Sequence, residues 1–176
     1  KSSGCIQGPN DPIIKPKKAK KMDYEVEVAM VIGKKAKYVL EDEAQNYIFG
    51  YCIVNDISER SWQKERGGQW IKGKSIAGTC GPYIVTKDEI KDLDNINLSL
   101  DVNGQRRQMG NTARMIFNFD FLVSHISQFM TLYPGTIITT GTPAGTAMEM
   151  DEPKFLQNGD KLNLKVDFLG EQNHTI

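Results

Sequence analysis

The 176 residues carry 22 Lys+Arg against 22 Asp+Glu, so the formal net charge is zero and no global field draws the chain to nucleic acid or to a membrane surface. At this length one domain with its own core is expected over residues 1–176, and its apolar runs are strand-sized, too short for a membrane-crossing helix. Cys5, Cys52 and Cys80 are odd in number and irregular in spacing, which matches neither a disulfide framework nor a zinc site and points to reduced thiols in a cytosol-like compartment.

The chain opens on Lys1 with no signal-peptide pattern, and the missing initiator Met leaves room for upstream sequence. Residues 1–22 read as loop, with Gly4, Gly8, Pro9, Asn10, Asp11 and Pro12 as turn signals. Lys15, Lys17, Lys18, Lys20 and Lys21 form a basic run broken by Pro16. A solvated loop is favoured there over a phosphate patch, since no aromatics are interleaved.

Asp23–Gly33 predicts a strand, whose period of two puts Glu25 and Glu27 on one face, led by Asp23. The continuous apolar run Val28–Ile32 predicts burial on both faces. Two carboxylates side by side at the mouth of a buried strand repel each other and lose hydration, which is costly unless compensated. Either a hard divalent cation such as Mg²⁺ neutralises them, or both line a solvated sheet face.

Further on, Glu41–Asn46 begins a short helix with acidic residues in its first turn. Ile48–Ile57 is a strand, apolar until Asn55-Asp56, where charge appears abruptly at a strand end. Ser58–Arg66 suits a short helix capped by Ser58, and Gly67–Trp70 a mobile connection into Lys72–Ser75. Tyr83–Thr86 is a strand and Lys87–Asn95 a charged loop. Ile96–Val102 and Gln105–Met109 flank Asn103-Gly104, the pattern of a hairpin with a type I′ turn. Phe119, Leu122, Ile126 and Phe129 mark an amphipathic helix over about 120–131, ended by Pro134-Gly135. Thr136–Thr140 is a buried strand. The small-residue loop Thr140–Thr146 offers hydroxyls and amides that suit a carboxylate, as they would suit any turn. Asn158-Gly159-Asp160 turns into a last strand, Lys161–Phe168, which leaves His174 in a terminal tail. The fold class is α+β and mostly β.

In this order the blocks become recognisable. Asp23-Tyr24-Glu25-Val26-Glu27 with Val31-Ile32-Gly33 resembles the opening signature of the fumarylacetoacetate hydrolase family. Gly50-Tyr51, Asn55-Asp56-Ile57-Ser58-Glu59-Arg60 and Gln63 resemble its next block. Gly73-Lys74-Ser75, Val102-Asn103-Gly104, Gln128–Gly135 and Thr140-Gly141-Thr142-Pro143 recur in the same sequence. The resemblance spans essentially the whole chain.

It implies a mixed β-roll with a few short helices, a homodimer, and a metal, Mg²⁺ or else Mn²⁺ or Ca²⁺, held by Glu25, Glu27 and Asp56. It implies hydrolysis of C–C bonds in acylpyruvate-like or diketo (sugar) acids through a metal-stabilised enolate. Alternatives are a 2-oxo acid decarboxylase, isomerase or tautomerase, such as one acting on oxaloacetate, and an oxo-acid-binding module without turnover. By motif position Lys74 stabilises developing negative charge, while Arg60, Gln63 and Thr142 match substrate-side positions. The partners expected are a small oxo or diketo acid and a second copy of the chain, with no nucleic acid and no membrane. A cytoplasmic location is expected, with a mitochondrial one compatible. The Glu65–Trp70 loop resembles the branch associated with 2,4-diketo-3-deoxy sugar acids.

The chain also departs from the family pattern. Ile76–Pro82 is shorter than the usual loop after Gly73-Lys74-Ser75 and lacks its Asp. Ser61, Thr136, Thr146 and Ala147 stand where relatives carry other residues. The family's water-activating His–Glu pair belongs to a segment expected upstream of residue 1, and neither His125 nor His174 is positioned to replace it.

Overall fold

The computed structural model describes residues 1–64, 67–68 and 70–176. Glu65, Arg66 and Gln69, which belong to the expected helix end, mobile connection and sugar-acid loop, lie outside the described residues.

The apolar run after Glu25 becomes a central strand because it has hydrophobic cover on both sides. β1 (Ile6–Gln7), β3 (Val26–Ile32), β4 (Ile48–Asn55), β6 (Gly78–Thr86) and β9 (Ile137–Thr139) form one mixed sheet in the order β1-β6-β4-β3-β9. Every residue of β3 is buried. Val26, Val28, Met30 and Ile32 face the main core with Tyr51 and Ile53, while Ala29 and Val31 pack on the other face with Cys52 and Val54. The expected two-sided burial is therefore met.

A second, antiparallel sheet runs β11-β10-β7-β8, from β7 (Asn97–Val102), β8 (Gln105–Asn111), β10 (Lys161–Val166) and β11 (Gly170–Thr175). Leu98, Leu100, Val102, Leu162, Leu164 and Val166 alternate inward along it and close the core. The β7–β8 turn has Asn103 at φ 52° and Gly104 at φ 76°, the two positive values that a type I′ turn requires. β2 (Met22–Asp23) and β5 (Ser58–Glu59) form a separate short pair.

Helix is sparse, in keeping with a mostly β domain. α1 (Arg60–Lys64) and α2 (Trp70–Lys74) are short, and α3 (Phe119–Phe129) is the one long helix among the described residues. Asn118 caps α3 by accepting from the Phe121 amide at 2.7 Å. The Glu41–Asn46 segment is a 3₁₀ helix. No helix among the described residues is long and apolar enough to cross a membrane.

Local expectations change at Ser58 and at the C-terminus. Ser58 is not a helix cap: it pairs with Asp23 in the β2–β5 ladder, and its hydroxyl donates to the Asp56 carbonyl at 2.8 Å. Glu59 takes the capping role, accepting from the Trp62 amide at 2.7 Å and the Ser61 hydroxyl at 2.6 Å. Residues 170–175 are a strand rather than a tail. His174 is buried there, bonded to the Asp11 carbonyl at 3.0 Å and to Gln172 Oε1 at 3.1 Å. Its neighbour Gln172 donates to the carbonyls of Ile53 at 3.1 Å and Gly81 at 2.9 Å, joining the two sheets. Polar residues take core positions in this strand because that network satisfies them, so no hydrophobic alternation announces it.

Candidate metal centre

Glu25 lies one residue before β3 and Asp56 one residue after β4, so the antiparallel pairing of these strands brings the two together. Val26 sits opposite Asn55 in the ladder, and the Asp56 amide donates to the Glu25 carbonyl at 2.9 Å. Glu27, two residues on along the same face, completes the group. One carboxylate oxygen from each of Glu25, Glu27 and Asp56 lies within 4.8 Å of the others, and all three residues are buried. The structure thus brings together the three residues that the resemblance names as metal ligands, and a solvated sheet face is excluded.

The three are not equally compensated. Glu25 is paired with Arg60 Nη2 at 2.6 Å and with Lys74 Nζ at 2.5 Å. Lys74 also reaches Asp56 Oδ2 at 3.0 Å, so its ammonium bridges two carboxylates. Lys1 Nζ lies 2.5 Å from Asp56 Oδ1, a third cationic side chain in contact with these carboxylates. Lys1 also donates to the carbonyls of Ile57 and Lys74. Glu27, 2 % exposed, accepts one bond, from the Gly141 amide at 2.6 Å. Burial, with the charges of Asp56 and Glu25, pushes its carboxyl up to about 8.

The donor set fits a hard divalent cation. It consists of buried carboxylate oxygens, that of Glu27 pushed toward the neutral form by burial and by the charges of Asp56 and Glu25, and their spacing is within the span of a single ion's coordination sphere.

Support comes from behind. Asp23 belongs to β2 rather than extending β3 as the sequence suggested, and it is not a ligand candidate, because its oxygens are saturated. They accept from the amides of Tyr24 at 3.0 Å, Ala147 at 2.8 Å and Met148 at 3.2 Å, and from Arg60 Nε at 2.9 Å. Arg60 spans Asp23, Glu25 and the Gln63 side-chain oxygen at 3.0 Å; burial alone would lower its pKa, but the carboxylates of Glu25 and Asp23 outweigh that and hold it cationic. Gly73 lets α2 bear on α1: a Cβ there would meet Gln63 Cβ at 2.6 Å, and the close approach delivers Lys74 to the carboxylates. Thr142 donates its hydroxyl to the Val26 carbonyl at 2.9 Å and accepts from Gln108 at 2.8 Å. Arg60, Gln63, Lys74 and Thr142 therefore all adjoin the carboxylate cluster or its strand.

Two residues at the site escaped sequence reasoning. Lys1 belongs to no motif. Gln108, fully buried, accepts from the Val26 amide at 3.1 Å and donates to Thr142 and to the Pro143 carbonyl at 2.7 Å, stapling the strand between Glu25 and Glu27 to the Thr140–Thr146 loop. In the sequence it is one polar residue in a polar hairpin strand, and nothing marks it.

A cleft of about 460 Å³ opens on the far side of that loop, lined by Met109, Thr112, Arg114, Ile116, Phe117 and Thr142 among others. It shares Gly141 with the site but contains none of the three carboxylates, which lie beneath Lys1, Arg60 and Lys74. Neither histidine is at the site: His174 is tied to Gln172, and His125 stacks on Phe121 and meets Phe129 edge-on along α3.

Known proteins resemble this chain in sequence and in fold. A protein of Burkholderia cenocepacia named as a hydrolase is 49% identical over 175 residues, covering 98% of this chain and 62% of its own length. The solved fumarylacetoacetate hydrolase of the psychrophile Exiguobacterium antarcticum matches with a TM-score of 0.93 at 36% identity, covering 98% of this chain and 63% of that one. A 5-carboxymethyl-2-hydroxymuconate delta-isomerase of Mycobacterium smegmatis matches at 0.88 and 36%, covering 97% of this chain and 64% of that one. The chain thus spans about 62% of the length of the curated relative. The family model described as fumarylacetoacetate (FAA) hydrolase C-terminal matches residues 1–176, and together with the fold and the acidic triad this places the chain in the fumarylacetoacetate hydrolase family.

Proposed function

We propose that this chain is the metal-binding catalytic domain of a hydrolase that cleaves a C–C bond in acylpyruvate-like or diketo acids. The observation that carries the reading is the Lys74 ammonium lodged between Glu25 and Asp56, with the buried Glu27 beside them in no ion pair among the described residues. A centre built this way calls for positive charge, and the Lys74 ammonium stands beside it within reach of a bound substrate. When bound, Mg²⁺ or a similar ion supplies a Lewis acid beside the substrate's oxo groups.

The chain's own residues have separable tasks. Lys74 turns its ammonium toward the substrate oxygen on which negative charge develops as the C–C bond breaks. Arg60, fixed by Asp23 and Gln63, holds Glu25 in place, and with Gln63 it forms the substrate-side wall in this reading. Thr142 anchors the loop that borders the substrate carboxylate, and Gln108 holds that loop to β3. Hydrolysis also needs a base to activate water, and both histidines of this chain are engaged elsewhere.

The isomerase-named relative favours a second reading: isomerisation or decarboxylation of a 2-oxo acid, which needs the same enolate but no attacking water. A second copy of the chain belongs to the proposal as well. It is supported by an exposed apolar face where Ile116 is 91% exposed and Phe117 stacks on Phe121 at 4.6 Å.

Calorimetry with Mn²⁺ tests the centre. The unaltered protein is expected to bind one ion, and Glu25→Ala and Asp56→Ala to abolish binding. Unchanged affinity in both variants would sink the metal centre. Turnover assays with an acylpyruvate and with oxaloacetate then separate the readings, since loss of oxaloacetate alone transfers the assignment to the second.

A further inference from the structure

The sheet face that carries Glu27 continues inward as Ala29 and Val31, with Val54 and Cys52 beside them on β4. Glu27 sits opposite Val54, and Val54 opposite Cys80 of β6, so the three form one cross-strand row. Cys52 is a row deeper, and its sulfur lies 3.5 Å from that of Cys80, although the two are 28 positions apart in the chain. Cys52 is buried and Cys80 partly exposed. Cys5 is occupied elsewhere, donating to the Ser2 carbonyl at 2.9 Å.

The placement matters because of what lies between. The segment 53–79, whose ends these cysteines flank, carries Asp56, Arg60, Gln63 and Lys74. We propose that Cys52 and Cys80 are an oxidisable dithiol that closes to a disulfide across the base of this segment, and that closure is felt at the carboxylates one row away.

The roles of the two sulfurs differ. Cys80 has access to solvent, and the contact between the two sulfurs draws its thiol below the ordinary cysteine range while Cys52, in that contact and buried, is held above. With hydrogen peroxide as oxidant, the Cys80 thiolate attacks one peroxide oxygen, the O–O bond breaks, and hydroxide leaves to become water on taking up a proton. The Cys52 sulfur then displaces the hydroxyl of the Cys80 sulfenic acid, giving the S–S bond and a second water. Two thiols lose two electrons and one peroxide gains them. With a small disulfide as oxidant, Cys80 forms the mixed disulfide and Cys52 releases the second thiol.

An S–S bond is about 2.05 Å long, so the sulfurs must close by about 1.5 Å from their present separation. That draw acts on β4 and β6 at the row of Val54, two residues from Asp56 and directly opposite Glu27. Ligand sets lose affinity when their supports shift, and a roughly tenfold weaker Mn²⁺ affinity is expected in the oxidised protein. This second half rests on the metal centre proposed above; the dithiol itself does not.

The experiment treats the full chain with a small excess of hydrogen peroxide, quenches it in denaturant with iodoacetamide, and counts free thiols by mass. The expected product is about 2 Da lighter before alkylation, reverts with dithiothreitol, and yields a linked Cys52–Cys80 peptide. Cys80→Ser and Cys52→Ala should each abolish that linkage. Three thiols still open to alkylation, or a bond that uses Cys5, would overturn the proposal. Calorimetry with Mn²⁺ on the two redox forms follows, and equal affinities would overturn the link to the site. Absence of Mn²⁺ binding in both forms would remove the metal centre while the thiol count still decides the dithiol.

Discussion

Glu27→Gln should raise the stability of the metal-free protein at alkaline pH and abolish metal binding at the same time. The folded carboxyl titrates at about 8 against an ordinary 4.5, so the unfolded chain gives up this proton earlier than the native one. Between those values the native state holds the extra proton, and stability falls as pH rises. The stability associated with the neutral carboxyl is present in full below pH 4.5 and lost by pH 8. At about 1.4 kcal/mol per pH unit, the loss approaches about 5 kcal/mol, with little solvent screening at so buried a group. Glutamine keeps an oxygen to accept from the Gly141 amide and has nothing to titrate. Urea unfolding in EDTA, run from pH 5 to pH 8 on both proteins, isolates the contribution as a difference. Equal stability near pH 5 and a growing advantage for Glu27→Gln toward pH 8 are expected. A wild-type curve with no such slope relative to the variant would refute the electrostatic reasoning.

The same protonation predicts that Mn²⁺ binding at pH 7 releases close to one proton per ion. Calorimetry in two buffers of different ionisation enthalpy measures this, and no buffer dependence would show Glu27 already ionised. Lys74→Met should tighten Mn²⁺ binding severalfold, since the ammonium that competes for Glu25 and Asp56 is gone, while turnover falls roughly 10²-fold or more. Weaker binding in that variant would mean that Lys74 helps assemble the centre. Gln108→Met removes three hydrogen bonds from a buried site. It should lower stability by about 2–3 kcal/mol and Mn²⁺ affinity by roughly tenfold, read by urea unfolding and calorimetry. Stability loss with unchanged affinity would confine Gln108 to a structural role.

Much of this was legible before the fold was known. The β3 run, the Asn103-Gly104 turn and the α3 periodicity are local patterns, in which neighbouring residues state their own geometry. The ordered motif blocks identified the family, and with it Glu25, Glu27 and Asp56. What failed to show was polar and non-local. β11 carries Gln172 and His174 inward, and only their partners on other elements explain why polar groups are tolerated there. Ser58 looked like a cap because its neighbours are helical, but pairing with Asp23 claimed it for a strand.

The sequence by itself determined a mostly β domain, a strand with two carboxylates on one face, and a third at another strand end. Those follow from side-chain alternation and from residue types at fixed spacing, which need no knowledge of partners. The tertiary structure alone decided that the three carboxylates converge within 4.8 Å, that Asp23 is saturated and so excluded, that Lys1 and Gln108 attend the site, and that Cys52 and Cys80 touch. Each of these depends on which strands pair and in what register, a property of distant segments meeting, which no single stretch of chain encodes.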